Sequence, residues 1–218
     1  MEAIKLLEKE YGRPKRGRCG NPVDALVRTI LSQNTSDANR DRAFQLLKKR
    51  FPENERLLEA SVKEIAKAIR PGGLPEVKAR RIKNALARIK AERGRLELDF
   101  LKGLPLGKAR EFLTSIYGVG PKTAAVVLNF CFGKPAFPVD THIYRVAKRL
   151  GLIPEKATRE KAHELMEAAV PEEKMFSFHV NLIAHGRRVC TARNPKCPEC
   201  ALLAICLYGK KAVTGKQA

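Results

Sequence analysis

Four cysteines near the C-terminal end, Cys190, Cys197, Cys200 and Cys206, stand at C-x6-C-x2-C-x5-C, a spacing short enough for one loop to wrap a single metal centre. Thiolates are soft ligands that suit zinc or an iron–sulfur cluster. Structural zinc sites usually draw on two short-spaced knuckles, and here only Cys197 and Cys200 form one. A [4Fe–4S] cluster takes four thiolates from an irregular loop, which the wide outer spacings with Pro195 and Pro198 permit. The residues favour iron–sulfur and leave zinc, or unrelated buried thiols, open. Two more side chains could do chemistry. Lys122 falls in the first turn of a helix, where the macrodipole and neighbouring cations disfavour an ammonium and so favour a nucleophilic amine; a solvated or phosphate-touching lysine is the plainer alternative. Asp140 opens the next helix, where it suits an N-cap and equally a fixed carboxylate that stabilises a developing cation.

The chain that must position these groups has 218 residues and is 44% hydrophobic, enough to bury a core. Lys and Arg number 43 against 23 Asp and Glu, a net charge of +20 that far exceeds what solubility asks. Heat-stable proteins with lysine-rich faces raise Glu alongside Lys, and this chain does not. Its basic residues run the whole length, which predicts a folded positive surface for a polyanion and binding that weakens steeply with salt. Residues 1–11 read as an amphipathic helix without an export signal's apolar stretch, and no run is long enough to span a membrane. The expected location is therefore the cytoplasm, with no membrane partner. Cys19 and Cys131 have no evident partner, and Cys131, between Phe130 and Phe132, reads as a core residue.

Apolar residues recur every three or four positions, as at Ala25, Leu26, Ile30 and Leu31, while strand alternation is nearly absent. The fold class is all-α, with about ten helices. Ser61 and Glu64 predict a capping box, Pro71-Gly72-Gly73 stops that helix, and Pro75 opens another through Lys78 to Ile89. Residues 209–218 are polar and read as a disordered tail. Phe112, Leu113 and Ile116 end a helix, and Tyr117-Gly118-Val119-Gly120-Pro121-Lys122 turns sharply into the next. Gly118 and Gly120 permit positive φ and leave backbone N–H groups bare, Val119 can plug the gap between helices, and Pro121 suits the first helical position. Bare amides at a helix start bind anions, and for so basic a chain the fitting anion is a nucleic-acid phosphate. A turn that merely caps a helix is the alternative.

Taken in order, Gly118-Val119-Gly120-Pro121-Lys122, then Val139-Asp140-Thr141-His142, then the four-cysteine loop resemble the endonuclease III family of helix–hairpin–helix DNA glycosylases, over residues from about 20 to 208. The resemblance implies two all-α lobes with DNA across the cleft. Residues 18–133 would be a helical barrel-like domain with the hairpin, and residues 1–17 plus 134–208 a domain around a [4Fe–4S] cluster held by Cys190, Cys197, Cys200 and Cys206. It also implies a bifunctional DNA glycosylase/AP lyase of base excision repair, with Lys122 as Schiff-base lysine and Asp140 as catalytic aspartate. The substrate would be double-stranded DNA holding a damaged base or abasic site, bound by a nucleoid-associated monomer.

Further matches lie around the base to be removed. Leu74, in Gly73-Leu74-Pro75, aligns with a residue the family pushes into the duplex, and residues 31–37 match the segment whose glutamine fills the vacated space. There the chain departs from the pattern: Gln33 comes one place early and Asn34 holds the aligned position, so either could meet the orphaned base. Gly118, Val119 and Gly120 would grip the backbone, with Arg187 beside the cluster facing phosphate. His142 is either a DNA contact or a packed first-turn residue. Residues 98–106 form a longer stretch than in the bacterial prototype and, with residues 136–140, are similar to the branch that includes plant 5-methylcytosine glycosylases. Oxidised pyrimidines are the family default; mismatched thymine or uracil, or modified cytosine, is the alternative. A rival of another class is a non-catalytic DNA-binding protein with a structural four-cysteine metal site, which has no reason to pair a helix-start lysine with a helix-start aspartate.

Overall fold

A computed structural model describes residues 1–215. Among them are twelve α-helices and no strand. The helices are α1 (Glu2–Tyr11), α2 (Pro22–Leu31), α3 (Asp37–Arg50), α4 (Asn54–Glu59), α5 (Val62–Ala68), α6 (Pro75–Arg93), α7 (Leu106–Thr114), α8 (Pro121–Phe132), α9 (Thr141–Leu150), α10 (Arg159–Ala169), α11 (Met175–Arg188) and α12 (Leu207–Thr214). The all-α expectation holds, with a helix count above ten because short elements such as α4 carry too few apolar repeats to stand out in the sequence. No described helix is long and apolar enough to cross a membrane.

The chain divides into two units, one of Met1–Gly17 with Pro135–Ala218 and one of Arg18–Lys134. In the continuous unit, local signals act as read: Ser61 accepts from the Glu64 N–H while the Glu64 carboxylate accepts from the Ser61 N–H, and Pro75 opens α6. Leu26, Ile30, Leu47, Ile65, Ile82 and Leu86 are fully buried here, as α6 packs on α5 and α2 and α8 packs on α2 and α7. The other unit packs α1 and α9 on α11, around Leu7, Phe137, Ile143, Met166, Phe178 and Leu182.

Two expectations are corrected. Cys19 and Cys131 are joined by a disulfide, with Cα atoms 4.8 Å apart. The partners are 112 residues apart, so no local spacing signals the pair. Closing a loop of that length removes chain entropy from the unfolded state worth on the order of 4–5 kcal/mol. The disordered tail expected over 209–218 is, through Thr214, the helix α12, while residues 216–218 lie outside the described residues. That helix is anchored by packing on α9, with the Arg149 guanidinium 4.4 Å over the Tyr208 ring. Gly209 N–H also donates to the Cys206 sulfur, 3.2 Å away.

Candidate active site

The hairpin between α7 and α8 is built around one glycine. Gly118 has φ +83°, and a Cβ there would collide with the side chain of Arg81 from α6. The left-handed backbone and the close approach both demand glycine. Val119, 4% exposed, plugs the hairpin, its N–H donating to the Ile116 carbonyl at 3.0 Å. Gly120, by contrast, has an ordinary φ of −90°, so it does not use the positive φ the sequence allowed it. It is the N-cap of α8, gives no side-chain cap, and nothing lies within 4 Å of where a Cβ would stand. Pro121 takes the first helical position and Lys122, half-buried, the second. The structure therefore presents open backbone N–H groups at the positive end of α8, next to Lys122.

Asp140 begins α9 in the other unit. Its carboxylate accepts from the Ile143 N–H at 2.8 Å, which fixes the side chain at the helix start. The extended approach to it, Phe137-Pro138-Val139, is buried and held by side chains the sequence reading did not single out. His163 Nδ1 lies 2.9 Å from the Phe137 carbonyl, His179 Nδ1 lies 2.9 Å from the Pro138 carbonyl, and the Glu167 carboxylate accepts from the Phe137 N–H at 2.9 Å. A carbonyl only accepts, so both histidines carry their proton on Nδ1. His142, in the first turn of α9, takes a hydrogen bond on Nδ1 from Arg145 at 3.2 Å. Arg145 also donates to the carbonyls of Gly186 at 2.7 Å and Cys190 at 2.9 Å, tying α9 to the cysteine loop. Arg187 is exposed on the last turn of α11.

Cys190, Cys197, Cys200 and Cys206 all line one cavity, walled otherwise by residues such as Val146, Leu150, Leu202 and Leu203. Among the described residues no three His, Cys, Asp or Glu side chains converge as they would on one ion. The sulfurs meet donors: Arg149 approaches Cys190 Sγ at 3.3 Å, and the Leu202 N–H approaches Cys200 Sγ at 3.4 Å. Cys206 is the N-cap of α12, and its Sγ also lies 3.3 Å from the Arg149 carbonyl. Burial pushes the Cys200 thiol up, and the other three cysteines push the same way. His185, behind the loop, has its Nε2 3.5 Å from Cys200 Sγ, and burial lowers its pKa to about 4.

In the segment after α2, Gln33 is held on both sides: its Nε2 donates to the Gly118 carbonyl at 3.1 Å and its Oε1 accepts from Arg81. Asn34, at φ +51°, is exposed. Leu74 is also left-handed, at φ +49°, and half its surface is in solvent. Left-handed non-glycine residues are uncommon and concentrate at functional turns. The sequence reading missed Arg81, and it missed Lys78, which lies on the buried stripe of α6 with Ile82, Ala85, Leu86 and Ile89. The signal was present: a lysine four residues before Ile82 falls on the apolar face.

Residues 27–172 match the model of the HhH-GPD superfamily base excision DNA repair proteins. The chain is 38% identical over 210 residues to endonuclease III of Sulfolobus acidocaldarius, covering 95% of this chain and 92% of that one. It is 43% identical over 169 residues to a DNA glycosylase-like protein of Arabidopsis thaliana, covering 78% of this chain and 57% of the plant protein. Its structure is similar to that of an endonuclease III trapped as a covalent intermediate with DNA, with a TM-score of 0.83, 30% identity, and coverage of 97% of this chain and 96% of the other.

Proposed function

This chain belongs to the HhH-GPD superfamily of base excision DNA repair proteins, and from that premise we propose how its residues carry out the reaction. It is a DNA glycosylase with AP lyase activity, a member of the endonuclease III group within that superfamily. The observation that carries the residue assignment is the uncapped start of α8, with Lys122 in its first turn. The N–H groups of Gly118 and Gly120 take a backbone phosphate, with no base read, while Val119, its own N–H bonded to the Ile116 carbonyl, holds the turn in shape. The target nucleotide leaves the stack, because its C1′ is shielded inside the duplex.

The Lys122 amine then forms a bond to C1′ as the N-glycosidic bond breaks, and the departing base leaves with the bonding pair and gains a proton. Asp140 stabilises the oxocarbenium-like charge and takes the proton that the attacking nitrogen loses. The nitrogen lone pair then opens the sugar ring, the C1′–O4′ bond breaking as O4′ takes up a proton, and the iminium so formed acidifies the C2′ proton; its removal breaks the C3′–O bond, so the strand is cut 3′ to the lesion. Water then releases the lysine. Asn34 takes the place facing the orphaned base, since both ends of the Gln33 amide are already engaged, and Leu74 is the apolar wedge. His142, engaged through Nδ1, has Nε2 left to meet phosphate, and Arg187, exposed in the last turn of α11, meets phosphate beside the cluster.

The four cysteines fit a [4Fe–4S] cluster better than zinc, because all four line one cavity and only Cys197 and Cys200 form a short-spaced knuckle. The group would hold the loop in shape and make no bond to substrate. The chain works as a cytoplasmic, nucleoid-associated monomer on duplex DNA. Oxidised pyrimidines are the favoured substrates, with a mismatched thymine or uracil, or a modified cytosine, as the alternative. Borohydride trapping on duplexes holding thymine glycol, G·T, G·U or an abasic site tests the reading. Trapped adducts are expected, and the duplexes that trap rank the substrates. No adduct on the abasic duplex, with salt-sensitive binding intact, would overturn the lysine mechanism.

A further inference from the structure

Lys78 is the largest fully buried side chain that carries a charge, with 1% of its surface exposed. Its Nζ donates to two backbone carbonyls, Leu31 at 2.8 Å and Gly72 at 2.7 Å. Burial lowers its pKa, and the nearby Arg81 lowers it further. A buried lysine with carbonyl partners only is costly, so its position calls for a role.

The two carbonyls share a feature. Leu31 is the last residue of α2, and Gly72 is the last of the short 3-10 turn Arg70–Gly72 that follows α5. Each stands at the root of an exposed turn whose tip holds a left-handed, non-glycine residue: Asn34 after Leu31, and Leu74 after Gly72. Both acceptors are helix-terminal, where carbonyls lack intrahelical partners and a cation is favoured. The second root is also set against α3, since a Cβ on Gly72 would stand 3.1 Å from the Ala43 Cβ. One nitrogen thus bonds the bases of two turns that are 41 residues apart in the chain, counted from Leu31 to Gly72.

We propose that Lys78 is a positioning residue that fixes the two turns relative to each other, so that Asn34 and Leu74 enter the duplex together when the base leaves. This rests on the assignment of those two residues to the vacated space. Lys78 touches no substrate; it acts through the Leu31 and Gly72 carbonyls. The role accounts for a charge kept inside the core, where methionine would fill the same volume without desolvation.

The test compares two substrates of the intact protein. Lys78→Met is expected to slow single-turnover excision from a lesion-bearing duplex by roughly 10- to 100-fold, the scale of a misplaced positioning contact. Borohydride trapping on a single-stranded abasic oligonucleotide, which needs no duplex to be opened, should stay within about 2-fold of the unmodified protein, a margin set by that same positioning argument. Equal losses on both substrates would mean general destabilisation and overturn the proposal, as would unchanged excision from duplex. A double mutant with Leu74→Ala provides a second check: if Lys78 acts through the turns, the two losses are not additive. Full additivity would refute the coupling. Should Leu74→Ala and Asn34→Ala each leave duplex excision unchanged while Lys78→Met slows it, the assignment of the inserting residues fails, and the proposal falls with it for that separate reason. If Lys78→Met does not fold, Lys78→Gln, which keeps a side-chain donor, goes through the same comparison.

Discussion

Two helix starts in this chain are opposite in design. At α9, Asp140 closes the positive end with its own carboxylate, accepting from the Ile143 N–H. At α8, Gly120 leaves the same end unfilled, with open space where a side chain would stand. The same backbone physics serves both: a helix start needs acceptors for its orphan N–H groups, and whatever supplies them has a fixed position. Where the protein supplies the acceptor, a carboxylate is held rigidly, as the catalytic role proposed for Asp140 requires. Where it supplies none, the helix is left to draw an acceptor from outside, which is the place proposed here for a phosphate.

The largest expected effect comes from the residue that the open start presents. Lys122→Gln should lower strand cleavage by about 10³-fold or more and abolish the borohydride adduct, while binding to duplex in a gel-shift assay persists. Next, Asp140→Asn separates the two duties of the closed start. Asparagine caps as well as aspartate, so thermal stability should change by less than about 0.5 kcal/mol. Excision should nonetheless fall roughly 10²-fold, because the charge is gone. An unchanged rate would reduce Asp140 to a cap.

Gly118→Ala strikes the turn that shapes the open start: a left-handed backbone and a displaced Arg81 should cost about 1–3 kcal/mol, seen as a lower melting temperature. Gly120→Asp would convert the open start into a copy of the closed one. Stability should hold or rise by about 0.5–1 kcal/mol, and DNA affinity should drop about 10-fold as the new carboxylate takes the phosphate's place. If affinity does not change, the α8 start is not a phosphate site.

Both helix starts were legible in the sequence because they are local. Pro121 after Gly120, and Asp140 before an apolar run, are signals that a few residues carry by themselves, as is the Ser61 and Glu64 box. What escaped the sequence depends on distant residues meeting. The sequence suggests the positive φ of Gly118, but not that Arg81 from α6 covers it. That both ends of the Gln33 amide are engaged, by Arg81 and by a carbonyl 85 residues away, is likewise beyond what the sequence shows. Cys131 reads in the sequence as a core residue, yet it is only half-buried on α8, and its partner lies in a stretch with no periodicity to place it.

That cystine bridge has a topological consequence. The unit Arg18–Lys134 is an insertion in the chain of the other unit, and Cys19 and Cys131 sit one and three residues inside its two ends. The bond draws the neck of the insertion shut, so that nearly all of this unit is a covalent ring with the rest of the protein attached at the clasp. A protease that clips any loop of the ring leaves one connected molecule, and the fragments part on a gel only after reduction. A ring also has no preferred first residue: fresh ends could be opened between α3 and α4, far along the chain from the hairpin, without setting any piece of the unit adrift.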